Sequence, residues 1–152
     1  MRIISSKVFL EDIERMLSEG NDVELRCFGS SMQPYLRGDG SETIVASPFT
    51  AEELIRGAIV LFRYHGKFVC HRIIRREKDK LLLQGDGSIK KQEQITVSEV
   101  IGIVRTITRR NKKPVSTQTK AARCYWRCWL RFAFIRRYLL KSFRMMVKSE
   151  EI

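Results

Sequence analysis

The sequence predicts a mainly β body with a helix at its N-terminal end and a basic amphipathic helix at its C-terminal end. Between residues 23 and 109, short apolar runs, several of them alternating with period two, are separated by turns rich in Gly, Asp and Lys. The flanking stretches instead repeat apolar side chains at helical spacing. Charge divides along the same line. Residues 1–104 hold 15 Lys+Arg and 15 Asp+Glu, residues 105–152 hold 14 Lys+Arg and 2 acids, and the net charge of +12 therefore belongs to the last third.

Taken in order, Ser5 and Ser6 are candidate N-caps for a first helix, with Phe9, Ile13, Met16 and Leu17 on one face and Gly20 as the stop. Val23, Leu25 and Cys27 alternate with Glu24 and Arg26, the pattern of a half-buried strand. A second short strand falls at 43-TIVA-46. Thr50 and Glu53 make a capping box for a short helical turn closed by Gly57. The runs 58-AIVLFRY-64 and 68-FVCHRIIRRE-77, joined by His65-Gly66-Lys67, read as a hairpin. A turn at 78–80 leads into 81-LLLQ-84, which stops at Gly85-Asp86-Gly87. The run 99-EVIGIVRTITR-109 is a last strand, expected to close the sheet. Residues 1–109 thus form one domain, 110–120 a polar linker, and 121–152 a helix.

Composition excludes several classes. Cys27, Cys70, Cys124 and Cys128 form no Cys-x-x-Cys pair and read as free thiols. With two histidines, neither at ligand spacing from a cysteine pair, no metal is expected, nor any cofactor. No apolar run of about 18 residues is present to span a bilayer, and the N-terminus lacks the apolar core of a signal peptide.

The stretch 27-CFGSSMQPYLRGDG-40 carries the chemistry. A serine hydroxyl becomes a nucleophile when a base takes its proton and donors hold the oxyanion that forms. Gly29 permits a tight turn with exposed N–H groups, and Pro34 stiffens it. By itself such a string is more often an ordinary turn. The base is best supplied by His71, which shares a strand face with Val69 and Ile73. By itself it reads as a partly buried strand histidine. His65 sits in the hairpin turn, exposed to solvent.

The order of pieces adds to this. Gly-x-Ser-Met-x-Pro (29–34), Gly-x-Ile-Val-x-Phe (57–62), His-Arg (71–72), Gly-Asp (85–86) and Val-Ile-Gly-x-Val (100–104) follow one another. This succession resembles the S24/S26 serine peptidases, the clan of type I signal peptidases and self-cleaving repressors of the SOS type, over about residues 23–107. The resemblance implies the catalytic β fold of that clan, with Ser31 as nucleophile and His71 as general base in the Ser-His branch. A dyad using Lys67 is the poorer reading. Asp86 corresponds to the family's Gly-Asp box and is expected to orient His71 or brace the site. The oxyanion would be held by the Ser31 N–H, with help from Ser30; Gly29, Met32 and Pro34 shape the loop.

The chain also departs from that pattern. Gly29 stands where signal peptidases carry a side-chain donor, and Ala58 replaces an aspartate. The stretch 88-SIKKQEQ-94 carries lysines in place of further aspartates, so a Ser-His dyad is the safer expectation. No membrane anchor precedes the domain, which places the expected site in the cytoplasm and makes a precursor or leader peptide the expected substrate.

The helix at 121–152 leaves two readings open. Arg123, Arg127, Arg131, Arg137, Lys141, Arg144 and Lys148 project to one side, with Arg136 as the exception. With Trp126 and Trp129, the helix is suited to an anionic membrane surface, and this would put a cytoplasmic protein on the inner face of the membrane. It is equally suited to docking on the sheet or on a partner chain. Nucleic acid ranks below both, for want of a reading motif. Two function classes follow: a serine endopeptidase, or a peptidase-like binding module acting through its basic helix.

Overall fold

The computed structural model describes residues 6–150 of the 152; Ser5, one of the two expected N-caps, lies outside them. The architecture is an eight-stranded, mainly antiparallel sheet with one helix before it and two after it. In chain order these are α1 (Ser6–Ser18), β1 (Val23–Phe28), β2 (Asp39–Ser47), β3 (Ile59–Tyr64), β4 (Lys67–Glu77), β5 (Lys80–Gln84), β6 (Glu93–Thr96), β7 (Val100–Thr108), β8 (Val115–Ser116), α2 (Lys120–Arg131) and α3 (Ala133–Glu150). The strand order is β1-β2-β7-β3-β4-β5-β6, with β8 added to β7.

The expected hairpin is β3–β4. Its turn places His65 and Gly66 at φ 48° and 72°, the left-handed pair that matches the twist of a two-residue hairpin. The expected box at Thr50 forms, the Thr50 N–H donating to the Glu53 carboxylate at 2.8 Å. A second, at Thr96, donates to Glu99 at 2.6 Å.

Three expectations change. The strand at 99–109 does not close the sheet: β7 lies inside it, between β2 and β3. Its residues Ile103, Val104 and Ile107 are buried, which suits a strand paired on both edges. The polar stretch 110–120 contains β8, and the Thr117 hydroxyl donates to the Val104 carbonyl at 2.9 Å. The C-terminal helix is two helices, broken at Phe132. At the break, the Arg136 Nη2 donates to the Trp129 carbonyl at 3.1 Å, one of the orphan acceptors at the end of α2.

The core has three patches. Phe62, Ile73, Leu81, Leu83 and Ile103 centre the first; Met32, Leu36, Ile44, Ile59 and Ile107 the second; Ile13, Leu17, Ala46 and Leu61 the third, under α1. Each large side chain buried this way contributes about 1.5–3 kcal/mol. The second patch positions the candidate site, because Met32 and Leu36 belong to the serine loop. They plug that loop into the sheet and leave Ser30 and Ser31 exposed.

Candidate active site

The serine loop starts at an irregularity. Pairing of β1 with β2 shifts between Arg26 and Phe28, a bulge that bends the strand as it ends. Gly29 follows at φ 95°, a conformation that L side chains rarely adopt. Its N–H donates to the Gly38 carbonyl at 2.9 Å, and so pins the two ends of the loop together. Inside, Gln33 is buried and donates from Nε2 to the Arg37 carbonyl at 2.8 Å; the peptide between Gln33 and Pro34 is cis. Among the described residues no hydrogen bond engages the Ser31 N–H, which leaves it able to receive an oxyanion.

The turn Gly85–Gly87 lies directly beneath. The Gly87 N–H donates to the Ser31 carbonyl at 2.8 Å. A Cβ on Gly85 would lie 2.2 Å from the Ser31 carbonyl oxygen and 3.1 Å from His71 Nε2; one on Gly87 would lie 2.2 Å from the Ser30 carbonyl oxygen. Neither glycine is required by a left-handed φ. Each is required by space, and Gly85 marks where the serine loop and the imidazole meet.

His71 is buried on β4, its ring 5.7 Å from that of Phe62. Its Nδ1 lies 2.8 Å from the Glu93 carboxylate, which is itself buried on β6. A carboxylate only accepts, and therefore Nδ1 carries a proton; in the neutral imidazole Nε2 then presents its lone pair. That Nε2 is buried and has no hydrogen-bond partner among the described residues, the Ser31 hydroxyl included. Buried polar atoms are otherwise nearly always paired, and one left open on a histidine fixed at its other nitrogen is poised to accept a proton.

Asp86 does not orient His71. It is buried and forked to Arg72, which donates from Nε at 2.8 Å and from Nη2 at 2.7 Å. Arg72 Nη1 donates to the Gly57 carbonyl at 2.9 Å, and its guanidinium lies 4.9 Å from the Tyr35 ring centre. Burial works against this cation, but the Asp86 charge and hydrogen bonds outweigh it and hold the pKa above its ordinary value. Of the two expected roles, Asp86 has the geometry of the brace.

The residue that sequence reasoning missed is Glu93, within the very stretch whose lysines cast doubt on a third member. A signal was present: Glu93 and Ile95 occupy one face of a period-two run, and both are buried. Alternation therefore puts a carboxylate on an apolar face.

The C-terminal helices bear on the same turn. Trp129 Nε1 donates to the Asp86 carbonyl at 2.8 Å. Arg136 Nη1 reaches the Ser88 carbonyl at 3.2 Å. Arg144 donates to the Gly87 carbonyl at 2.9 Å and to Gln33 Oε1 at 3.2 Å. Trp129, expected among the residues facing a membrane or a partner, is buried in this contact, and so is Arg136, the exception to the basic stripe. Trp126 is half-buried, while Arg123, Arg127 and Arg131 remain exposed.

A groove of about 730 Å³ opens beside Ser31, between β1 and the first half of β4, with α1 along one side. Leu25, Cys27, Ile44, Phe68 and Cys70 give it an apolar wall. Burial pushes the Cys27 thiol up to about 12, with Glu42 adding to the effect, and burial raises Cys70 as well. Both thiols are wall, not nucleophile. Two backbone edges border the groove. Among the described residues, β1 pairs only with β2, and β4 meets β5 only from Arg72 onward.

No protein-family model matches this chain, and no curated protein matches it.

Proposed function

We propose that this chain is a serine endopeptidase with the fold and chemistry of the S24/S26 clan, working through Ser31, His71 and Glu93. The observation that carries the reading is the His71 imidazole, held at Nδ1 by Glu93 and open at a buried Nε2 beside the Ser31 loop. As the scissile carbonyl arrives, the Ser31 hydroxyl attacks it and its proton passes to His71 Nε2. Glu93 stabilises the imidazolium. The tetrahedral oxyanion takes the Ser31 N–H, with Ser30 adjacent. His71 then returns the proton to the departing amine, leaving an acyl-enzyme, which a water deprotonated by His71 hydrolyses.

The substrate is an extended peptide, of the precursor or leader type. The open edges of β1 and of the first half of β4 offer main-chain hydrogen bonds on both sides of the groove. Its apolar wall favours apolar side chains at alternate positions.

The test is a precursor-peptide library incubated with wild-type protein and with Ser31→Ala, read by mass spectrometry. Cleavage by the wild type that falls by about a millionfold in kcat, to background, supports the reading. A library left intact by wild-type protein, or cut equally by both, refutes it. The chain would then be a peptidase-like module that binds without turnover.

A further inference from the structure

We propose that α2 and α3 form a docking element for anionic phospholipid bilayers, in which a cleft of arginines on α2 takes lipid phosphates and an exposed apolar arc on α3 enters the acyl boundary. Between α2 and the segment Ile55–Ala58 lies a cleft of about 720 Å³ that gathers Arg56, Arg123, Arg127 and Arg131, with no acidic residue on its wall. Among the described residues none of these four arginines has a carboxylate partner. Trp126 is its platform. The indole lies so close over Gly57 that a Cβ there would sit 2.2 Å from the ring, and the guanidiniums of Arg56 and Arg127 lie 5.9 Å and 5.6 Å from its centre. Converging cations without counter-charge, on a fixed aromatic base, suit an oxyanion that accepts forked hydrogen bonds.

The second observation is independent. Around α3 the inner sector is Arg136, Leu140 and Val147, all buried. Next, at helical spacing, come Arg137, Lys141, Arg144 and Lys148. Beyond these lie Phe134 (75% exposed), Tyr138 (62%) and Met145 (65%), then, past Ser142 and Ser149, Ile135, Leu139 and Met146. Clustered apolar side chains left open to water mark an interaction surface, and a basic margin beside an apolar arc is the pattern of a helix lying in a lipid interface. Both helices turn their inner faces to the same Asp86–Ser88 turn. The faces turned from that inner contact are cationic on α2, where they border the cleft with Ile55–Ala58, and apolar on α3.

Charge selects the occupant. A second copy of the chain would bring like basic margins together. A nucleic-acid backbone would satisfy the arginines and leave Phe134, Met145 and Met146 in water. An anionic bilayer satisfies both sets, and the neutral body adds no repulsion.

The experiment is sedimentation of full-length protein with vesicles of phosphatidylcholine alone and of phosphatidylcholine with phosphatidylglycerol. Binding to the anionic vesicles only is expected, weakening as salt rises. Arg127→Gln and Arg131→Gln should each weaken partitioning about fivefold. Phe134→Ser with Met145→Ser should weaken it at least tenfold, with circular dichroism unchanged. Displacement from vesicles by millimolar inorganic pyrophosphate, with the α3 variants still binding as wild type, would mean a site for free phosphate compounds and overturn the bilayer proposal. So would equal binding to both vesicle types, or capture by a short DNA duplex in place of vesicles. Ser31→Ala should bind vesicles like wild type, and failure here is thereby separated from failure of the peptidase reading.

Discussion

His71 and Arg72 are neighbours on β4, and each holds a buried carboxylate from the next part of the chain, yet the two pairs end differently. Arg72 is closed. Its three nitrogens donate to Asp86 and to the Gly57 carbonyl, and Tyr35 and Tyr125 lie against its guanidinium. His71 is closed at Nδ1 by Glu93 and open at Nε2. A buried polar atom without a partner costs about 1–3 kcal/mol. The chain bears that cost at one of two adjacent residues, and at the one beside Ser31. On the proposed reading, the difference separates a pair that holds the fold from a pair that serves the reaction.

The strongest way to break this comparison is Glu93→Gln. The amide fills the same space but no longer holds the Nδ1–H tautomer or a charge for the imidazolium. A fall of about 10⁴ in kcat is expected, the size found when an orienting carboxylate of this kind is neutralised. The peptide assay measures it, and thermal unfolding should show a far smaller change. If kcat stays within tenfold of wild type, Glu93 does not orient the base.

Asp86→Asn inverts the pattern. It strands a buried guanidinium, and removal of one partner from a buried pair costs about 3–5 kcal/mol. For a chain of this size that is roughly a 10 °C fall in Tm, while kcat per folded molecule at low temperature stays within about tenfold. An Asp86→Asn protein as stable as wild type but without activity would mean that the two roles have been assigned the wrong way round.

How much of this was legible in the sequence follows the reach of the interactions. Strands, hairpin and capping box rest on neighbours in the chain, and pattern was enough for them. Ser31 and His71 were singled out by the succession of five short pieces and the resemblance it carries, since neither string is specific alone. Between the two roles open to Asp86, orienting the imidazole or bracing the site, the sequence could not choose, because adjacent residues on a strand point to opposite faces. A Gly-Asp box cannot say whether the aspartate meets His71 or Arg72. Glu93 needed β6 to be recognised as a strand before its alternation had meaning. The docking of Trp129, Arg136 and Arg144 on the Asp86 turn is long-range contact, invisible to a helical projection that sees only which residues share a side.

Two glycines sharpen the comparison at the loop itself. Gly29→Ala meets no atom within 4 Å but holds φ 95°, which costs on the order of 1 kcal/mol of stability. Gly85→Ala drives a methyl into the Ser31 carbonyl, and the loop or the turn must shift. Misplacing a catalytic group by about 1 Å can cost about 10²-fold in rate. Gly85→Ala is therefore expected to lower kcat roughly a hundredfold, against a few-fold for Gly29→Ala. Equal kcat losses would remove the claim that Gly85 spaces the nucleophile from the base.

The smallest effect belongs to a charged pair that is neither buried nor near the site. Glu53 accepts from Arg105 at 2.7 Å and from the Thr50 N–H. The hydrogen bond from Arg105, and then that from Thr50, lower its carboxyl from 4.5 to about 2. The folded value lies below the unfolded one. The stabilisation is therefore complete above about pH 4.5 and is lost as pH falls through about 2. Water screens the pair, and Glu53→Gln should cost under about 1 kcal/mol at pH 7 by urea unfolding. That difference from wild type should shrink steadily below pH 4.5. A difference that persists undiminished at pH 2 would mean that Glu53 acts through packing and not through its charge. A cost at neutral pH as large as that of Asp86→Asn would erase the distinction between surface pair and buried pair on which the reading of Arg72 and His71 depends.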